Sequence, residues 1–171
     1  DERMFGVQLA DKRTETLVEG ARLAESRGAR FVDLNCGCPI AAWTGRGLGA
    51  SLMRKPTKLG RLVAAMVRAV GIPVTVKLRT GWSSERPNVS EVARACEEAG
   101  AQAITIHGRS REQRYQKAAD WELIGQVAGV SSVAGELAVV AAPGCLAAAK
   151  VEQALANRSG PGPTVKMNHT D

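Results

Sequence analysis

An α/β fold forming part of a (β/α)8 barrel is what the sequence predicts, on three observations. Residues 4–129 alternate short β-rich runs with helical patterns. The connections between successive runs are long enough to hold a helix, as parallel strands require. Polar or reactive side chains close every β-run: Gln8, then Asn35 and Cys38, then Lys77 and Arg79, then His107 and Arg109. In a barrel all four strand ends meet at one mouth, the face that carries catalysis. A doubly wound sheet gathers only those nearest its switch point, so the strand-end chemistry selects the barrel.

Residues 5–9 form a first strand; Thr14 or Thr16 can cap a helix with Leu17, Ala21 and Ala24 on one face, and Gly28 ends it. Residues 31–34 form the second strand, followed by a glycine-rich loop. A helix from about Pro56 then places Leu59, Leu62, Val63, Met66, Val67 and Val70 at helical spacing and closes at Gly71. Residues 74–78 are the third strand. Ser90 caps the next helix, with Val92, Ala93 and Cys96 on its face and Gly100 as its stop; residues 103–107 are the fourth strand. A last helix runs from Asp120 to about Val127.

Four βα units make half of a barrel whose usual size is about 250 residues. The sequence therefore divides into an N-terminal half-barrel at 1–129 and a different segment at 130–171. That segment offers one β-like run at 137–141, an Ala-rich helical stretch at 146–156 and a disordered stretch at 159–163. All six aromatic residues precede residue 130, and the 130–171 segment balances three basic against three acidic side chains. The abrupt change suggests a tail of separate origin, such as a truncated or misread gene. The chain opens on Asp1 rather than Met and carries no signal series, so it is expected to be a fragment.

Composition narrows the function. Among 171 residues, 23 Lys and Arg against 17 Asp and Glu give a net charge of +6, all of it in residues 1–129. Positive charge suits a polyanionic partner or simple solubility. The weakly charged run at 137–149 is broken by Pro143 and Gly144 and falls short of the roughly 18 apolar residues of a membrane span. Cys36, Cys38, Cys96 and Cys145 are irregularly spaced, which argues against a disulfide scaffold and for a reducing compartment. Cys36 and Cys38 have no second Cys or Cys/His pair at ligand spacing, and His169 lies in the tail, so no metal site is expected.

Asn35-Cys36-Gly37-Cys38-Pro39 directly succeeds a strand, where Gly37 permits a tight backbone and Pro39 stiffens the segment after it. This holds a thiol at the strand tip, although buried cysteine is the commoner outcome. Lys77 and Arg79, two residues apart, share one face of their strand; His107 and Arg109 repeat the arrangement one strand later. Arg109, Arg111, Arg114 and Lys117 surround Tyr115, a pattern that suits phosphate contacts with one stacking ring, or a solvated loop. Gly45-x-Gly47-x-x-Ala50 lacks the preceding strand and succeeding acid of a dinucleotide site and is read as a flexible loop.

Four segments together resemble the tRNA-dihydrouridine synthase family: Phe5-Gly6-Val7-Gln8-Leu9, Asp33-Leu34-Asn35-Cys36-Gly37-Cys38-Pro39-Ile40, Thr75-Val76-Lys77-Leu78-Arg79-Thr80-Gly81 and the 107–115 segment, with Ala119-Asp120-Trp121 behind them. They cover about residues 4–129 and are most similar to the eukaryotic tRNA-dihydrouridine(47) synthase class. The resemblance implies an FMN-binding barrel that reduces a tRNA uridine with NADPH. The expected location is the cytoplasm, with the nucleus as a further option. It implies that Cys38 is the proton donor, that Gln8, Lys77 and His107 contact FMN, and that Asn35 touches the uracil. Arg79, Arg109, Arg111 and Arg114 are expected to support substrate binding.

The chemistry agrees with the residue types. Reducing the uracil C5=C6 bond takes a hydride at C6 and a proton at C5. A thiol, with an ordinary pKa of about 8.5, still holds a proton near neutrality that it can give, whereas a hydroxyl is far too weak an acid. The family's first strand with its Pro-Met element, its Asn-Gly-Asp strand and its late phosphate-binding strand have no counterpart in the sequence. A non-catalytic RNA-binding fragment and a flavin barrel acting on a small molecule are the alternative readings.

Overall fold

The computed structural model describes residues 5–130, 138–141 and 164–166. Among them lie six strands: β1 (Gly6–Leu9), β2 (Phe31–Asn35), β3 (Val74–Arg79), β4 (Ala103–His107), β5 (Ala138–Ala141) and β6 (Thr164–Lys166). They form one sheet in the order β1-β2-β3-β4-β5-β6, every neighbouring pair parallel. Strand order that matches chain order without reversal is that of a barrel wall; a doubly wound sheet would contain a switch. The architecture is a partial (β/α)8 barrel.

β1 to β5 lie within one residue of the expected runs. β6 has no counterpart among those runs, because three residues are too few to show a period of two. The expected helix at 146–156 and disordered stretch at 159–163 lie outside the described residues.

Five helices cover the sheet among the described residues: α1 (Thr14–Ser26), α2 (Ala41–Thr44), α3 (Pro56–Ala69), α4 (Val89–Glu98) and α5 (Trp121–Val130). The glycine-rich loop holds α2 and a 3-10 turn at Gly49–Arg54. Two expected caps shift. Thr14 begins α1 instead of capping it; the Asp11 carboxylate ahead of the helix accepts the N–H groups of Lys12 and Arg13 at 2.6 and 3.0 Å. The side-chain hydrogen bond from Arg13 is the main reason the Asp11 carboxyl falls to about 2. Ser90 lies within the first turn of α4, behind Asn88, whose Nδ2 donates to Met53 O at 2.8 Å and ties the helix to the 3-10 turn.

Alternation along the strands sorts their side chains. Val32, Leu34 and Cys36, Val74, Val76 and Leu78, and Ile104 and Ile106 belong to the buried core. Against them pack Leu17, Ala21 and Ala24 of α1, Leu59, Leu62, Val63 and Met66 of α3, and Val92 and Cys96 of α4. The four α3 residues are each 2% exposed or less, and each contributes roughly 1.5–3 kcal/mol of burial. With the apolar residues committed to the helices, the opposite face of the strands is left to polar side chains.

Candidate functional site

The other face of the strands carries Gln8, Asp33 and Asn35, Thr75, Lys77 and Arg79, and Thr105 and His107. Register sets Gln8 beside Asp33, Asn35 beside Lys77, and Arg79 beside His107. The strand ends open on a cavity of about 410 Å³, lined by all of Gln8, Asn35, Cys38, Lys77, Arg79 and His107. That volume suits a small organic ligand. Phe31, stacked on Gly6, adds an apolar wall, since a Cβ at Gly6 would meet the Phe31 ring at 2.2 Å. Arg109, Arg111 and Arg114 are not among the lining residues.

The loop that carries Cys38 is fixed from several sides. Asn35 Oδ1 accepts the backbone N–H groups of Gly37 and Cys38 at 3.2 and 3.0 Å. Arg79 Nε donates to Gly37 O at 2.8 Å, and Ala50 N–H donates to Cys38 O at 3.0 Å. Gly49, at φ +58°, lies so close that a Cβ there would be 2.7 Å from Cys38 O; only glycine fits both the backbone angle and the approach. Cys36, by contrast, is fully buried in the core, and burial pushes its thiol well above the ordinary range. Burial likewise pushes Cys96 up to about 12. Of these thiols Cys38 alone faces the cavity.

The site's electrostatics arise from burial among cations. His107 is lowered to about 3, first by burial and then by Arg79, Lys77 and Arg109. Its ring is therefore neutral at neutral pH. Arg109 Nη1 lies 3.1 Å from His107 Nε2, and a guanidinium only donates, so Nε2 accepts and Nδ1 carries the hydrogen. Asp33 is raised to about 6 by burial, against the opposing pull of Thr75, Gln8 and Lys77. Arg79 is 2% exposed, and its Nη1 donates to Ser110 O and Arg114 O at 3.0 and 2.9 Å. Its guanidinium lies 5.3 Å from the Tyr115 ring.

The remaining basic residues form a rim beside the cavity. Arg109 Nε donates to Lys117 O, and Arg114 turns the chain at φ 51°. Arg111 and Arg54 both stack on Trp82, at 4.7 and 4.8 Å, and Arg111 Nη2 donates to Thr44 Oγ1 at 3.3 Å. Tyr115 is 66% exposed and stands 5.7 Å from the His107 ring, at the edge of the cavity.

Sequence reasoning missed Asp33 and Gly49 as site residues. A charged residue inside the apolar run Phe31-Val32-Asp33-Leu34, in step with Asn35, was the available signal for the first. Among the described residues no group of His, Cys, Asp or Glu is placed to hold a metal ion, and no helix is long and apolar enough to cross a membrane.

Comparison with known proteins adds to this geometry. The family model described as dihydrouridine synthase (Dus) matches residues 1–160. A tRNA-dihydrouridine(47) synthase [NAD(P)(+)] of Cryptococcus neoformans is 47% identical over 130 residues, covering 72% of this chain and 18% of that protein. A Rhodobacter capsulatus protein named "Probable tRNA-dihydrouridine synthase" is 44% identical over 127 residues, 74% of this chain and 39% of its own length. One of the same name from Rickettsia bellii is 38% identical over 156 residues, 91% of this chain and 47% of its length. The chain thus spans less than half the length of these relatives. The family-model and Rickettsia matches run past residue 129, so the likeness extends beyond the four motif segments.

Two solved structures share the fold at low identity. One is a protein assigned to the dihydrodipicolinate synthase family from Coccidioides immitis, with TM-score 0.53 at 16% identity, covering 91% of this chain and 48% of that one. The other is described as a phosphonomutase from Burkholderia cenocepacia, with TM-score 0.55 at 17% identity, covering 95% and 69%.

Proposed function

The chain belongs to the dihydrouridine synthase family, and we propose that it carries the residues for FMN-dependent reduction of a tRNA uridine to 5,6-dihydrouridine, with Cys38 as proton donor and NADPH as reductant. What supports this reading is the single cavity shared by Gln8, Asn35, Cys38, Lys77 and His107.

The lining fits a flavin ring. Gln8 and Lys77 offer N–H donors, His107 offers Nδ1–H, and Phe31 offers an apolar surface, the mixture that a flat heterocycle with carbonyl oxygens along one edge requires. When bound and reduced, FMN supplies a hydride. Lys77 and His107 would hold the bound ring by their N–H groups, the Lys77 ammonium favouring negative charge there. Asn35 orients the uracil. Cys38 Sγ would give its proton to C5, leaving a thiolate that solvent reprotonates; with the hydride added at C6 the uracil would gain two hydrogens and lose one double bond. Arg111, Arg114 and the exposed Tyr115 are assigned to tRNA phosphates and an unstacked base, since a uridine within folded tRNA must leave its stack to be reached.

The test is Cys38→Ala against Cys36→Ala in the full-length enzyme. Cys38→Ala is expected to abolish dihydrouridine formation while NADPH still reduces the flavin, and Cys36→Ala is expected to keep both. Dihydrouridine formation by Cys38→Ala at the wild-type rate would overturn the assignment. Salt-sensitive tRNA binding with no turnover by the wild-type enzyme would favour a purely RNA-binding role.

A further inference from the structure

Two amides in the cavity wall form a hydrogen-bonded chain with a direction. Gln8 Nε2 donates to Asp33 Oδ2 at 2.7 Å, and Asn35 Nδ2 donates to Gln8 Oε1 at 2.8 Å. Asn35 Oδ1 then accepts the N–H groups of Gly37 and Cys38. An amide turned end for end keeps its shape, so something must set which way such a chain runs. Here both ends do. An ionised carboxylate only accepts and a backbone N–H only donates, so reversing Gln8 sets oxygen against oxygen at Asp33, and reversing Asn35 sets N–H against N–H at the loop.

We propose that Asp33 is a positioning residue for Cys38. Its acceptor-only carboxylate turns Gln8, Gln8 turns Asn35, and Asn35 then holds the backbone of the Cys38 loop. The same direction leaves one further N–H on each amide for the cavity, so both present donors to a ligand there. Asp33 is 1% exposed and its other oxygen accepts the Thr75 hydroxyl at 2.7 Å, so the carboxylate is anchored from behind. Asp33 acts through others and touches no reacting atom. Its bearing on catalysis rests on the role proposed for Cys38; the hydrogen-bond chain does not.

Substitutions of similar size at these positions have opposite expected effects. Asp33→Asn keeps the chain, because the new amide can offer its oxygen to Gln8 and its N–H to Thr75, whose hydroxyl also accepts. Gln8→Glu sets two carboxylates face to face; a proton shared between them would bridge the pair near neutrality, so the break is read at pH 9, where both are ionised. Combining the two mends it: the amide at position 33 donates to the carboxylate at position 8, which still accepts Asn35 Nδ2, and Asn35 keeps its orientation.

The experiment measures the rate at which iodoacetamide alkylates Cys38 at pH 9 in the full-length protein, located by mass spectrometry. Asp33→Asn is expected within about two-fold of wild type. Gln8→Glu is expected to speed alkylation about ten-fold, the worth of one buried hydrogen bond at the loop. The double variant is expected to return to within about two-fold of Asp33→Asn. Effects that simply multiply, a harmless Gln8→Glu, or an Asp33→Asn as damaging as Asp33→Leu would each overturn the proposal. Alkylation does not depend on turnover. An active Cys38→Ala enzyme would therefore sink the functional reading alone, and a failed rescue the positioning role alone.

Discussion

Arg79→Lys keeps the charge at the centre of the site and removes its fork. Arg79 makes three hydrogen bonds to carbonyls that belong to two separate loops, at 2.8 Å to Gly37, 3.0 Å to Ser110 and 2.9 Å to Arg114. The bonds to Ser110 and Arg114 leave from one nitrogen, Nη1, and the bond to Gly37 from another, Nε, so a single lysine ammonium can serve the first pair and gives up Gly37. One carbonyl, and with it the link between the loops, therefore loses its donor. At about 1.5–3 kcal/mol for a bond from a charged group, part of it offset by water, the expected net loss is about 1–3 kcal/mol. Against a typical stability of about 5–15 kcal/mol this is large and readily seen in urea denaturation as a lower midpoint at unchanged slope. A change below about 0.5 kcal/mol, the size of an ordinary surface substitution, would refute the view that Arg79 clamps the two loops together.

Gly49→Ala forces a side chain into positive φ and against Cys38 O at 2.7 Å. About 2 kcal/mol or more of stability should be lost, together with dihydrouridine formation, and a variant melting at the wild-type temperature would contradict this. For pH, His107 titrates at about 3 folded against about 6.5 unfolded, so its contribution is present above pH 6.5 and is lost as pH falls toward 3. Asp33, at about 6 folded against 3.8 unfolded, works the other way: the folded state holds its proton more tightly, and stability rises as pH falls through that window. His107→Gln removes only the first effect, so the variant should lose less melting temperature than wild type between pH 7 and pH 5; equal losses would contradict the depressed imidazole.

What the sequence could reveal depended on how local each cause was. The strands stand out because Val32, Leu34, Val76 and Ile104 are apolar for the helices' sake, and the cavity stands out because Gln8, Cys38, Lys77 and His107 each end such a run. Asp33 was harder to place: its partners Gln8 and Thr75 lie 25 and 42 residues away, and nothing in its own segment names them. Gly49 reads as one glycine of a flexible loop, because the contact that requires it is with Cys38, on the far side of α2 in the chain. Arg79 looked like a cation offered to substrate. It is buried beneath carbonyls at Ser110 and Arg114, 31 and 35 residues away, on the loop that leaves the neighbouring strand β4.

The most direct measurement is protection of Cys38. In the full-length enzyme, the alkylation rate of this one thiol can be tracked by mass spectrometry with and without FMN and tRNA bound together. If the residues proposed to hold flavin and the thiol share one cavity, joint occupancy at saturation will slow alkylation at least ten-fold. An unchanged rate at saturating flavin and tRNA would place the reaction elsewhere in the protein.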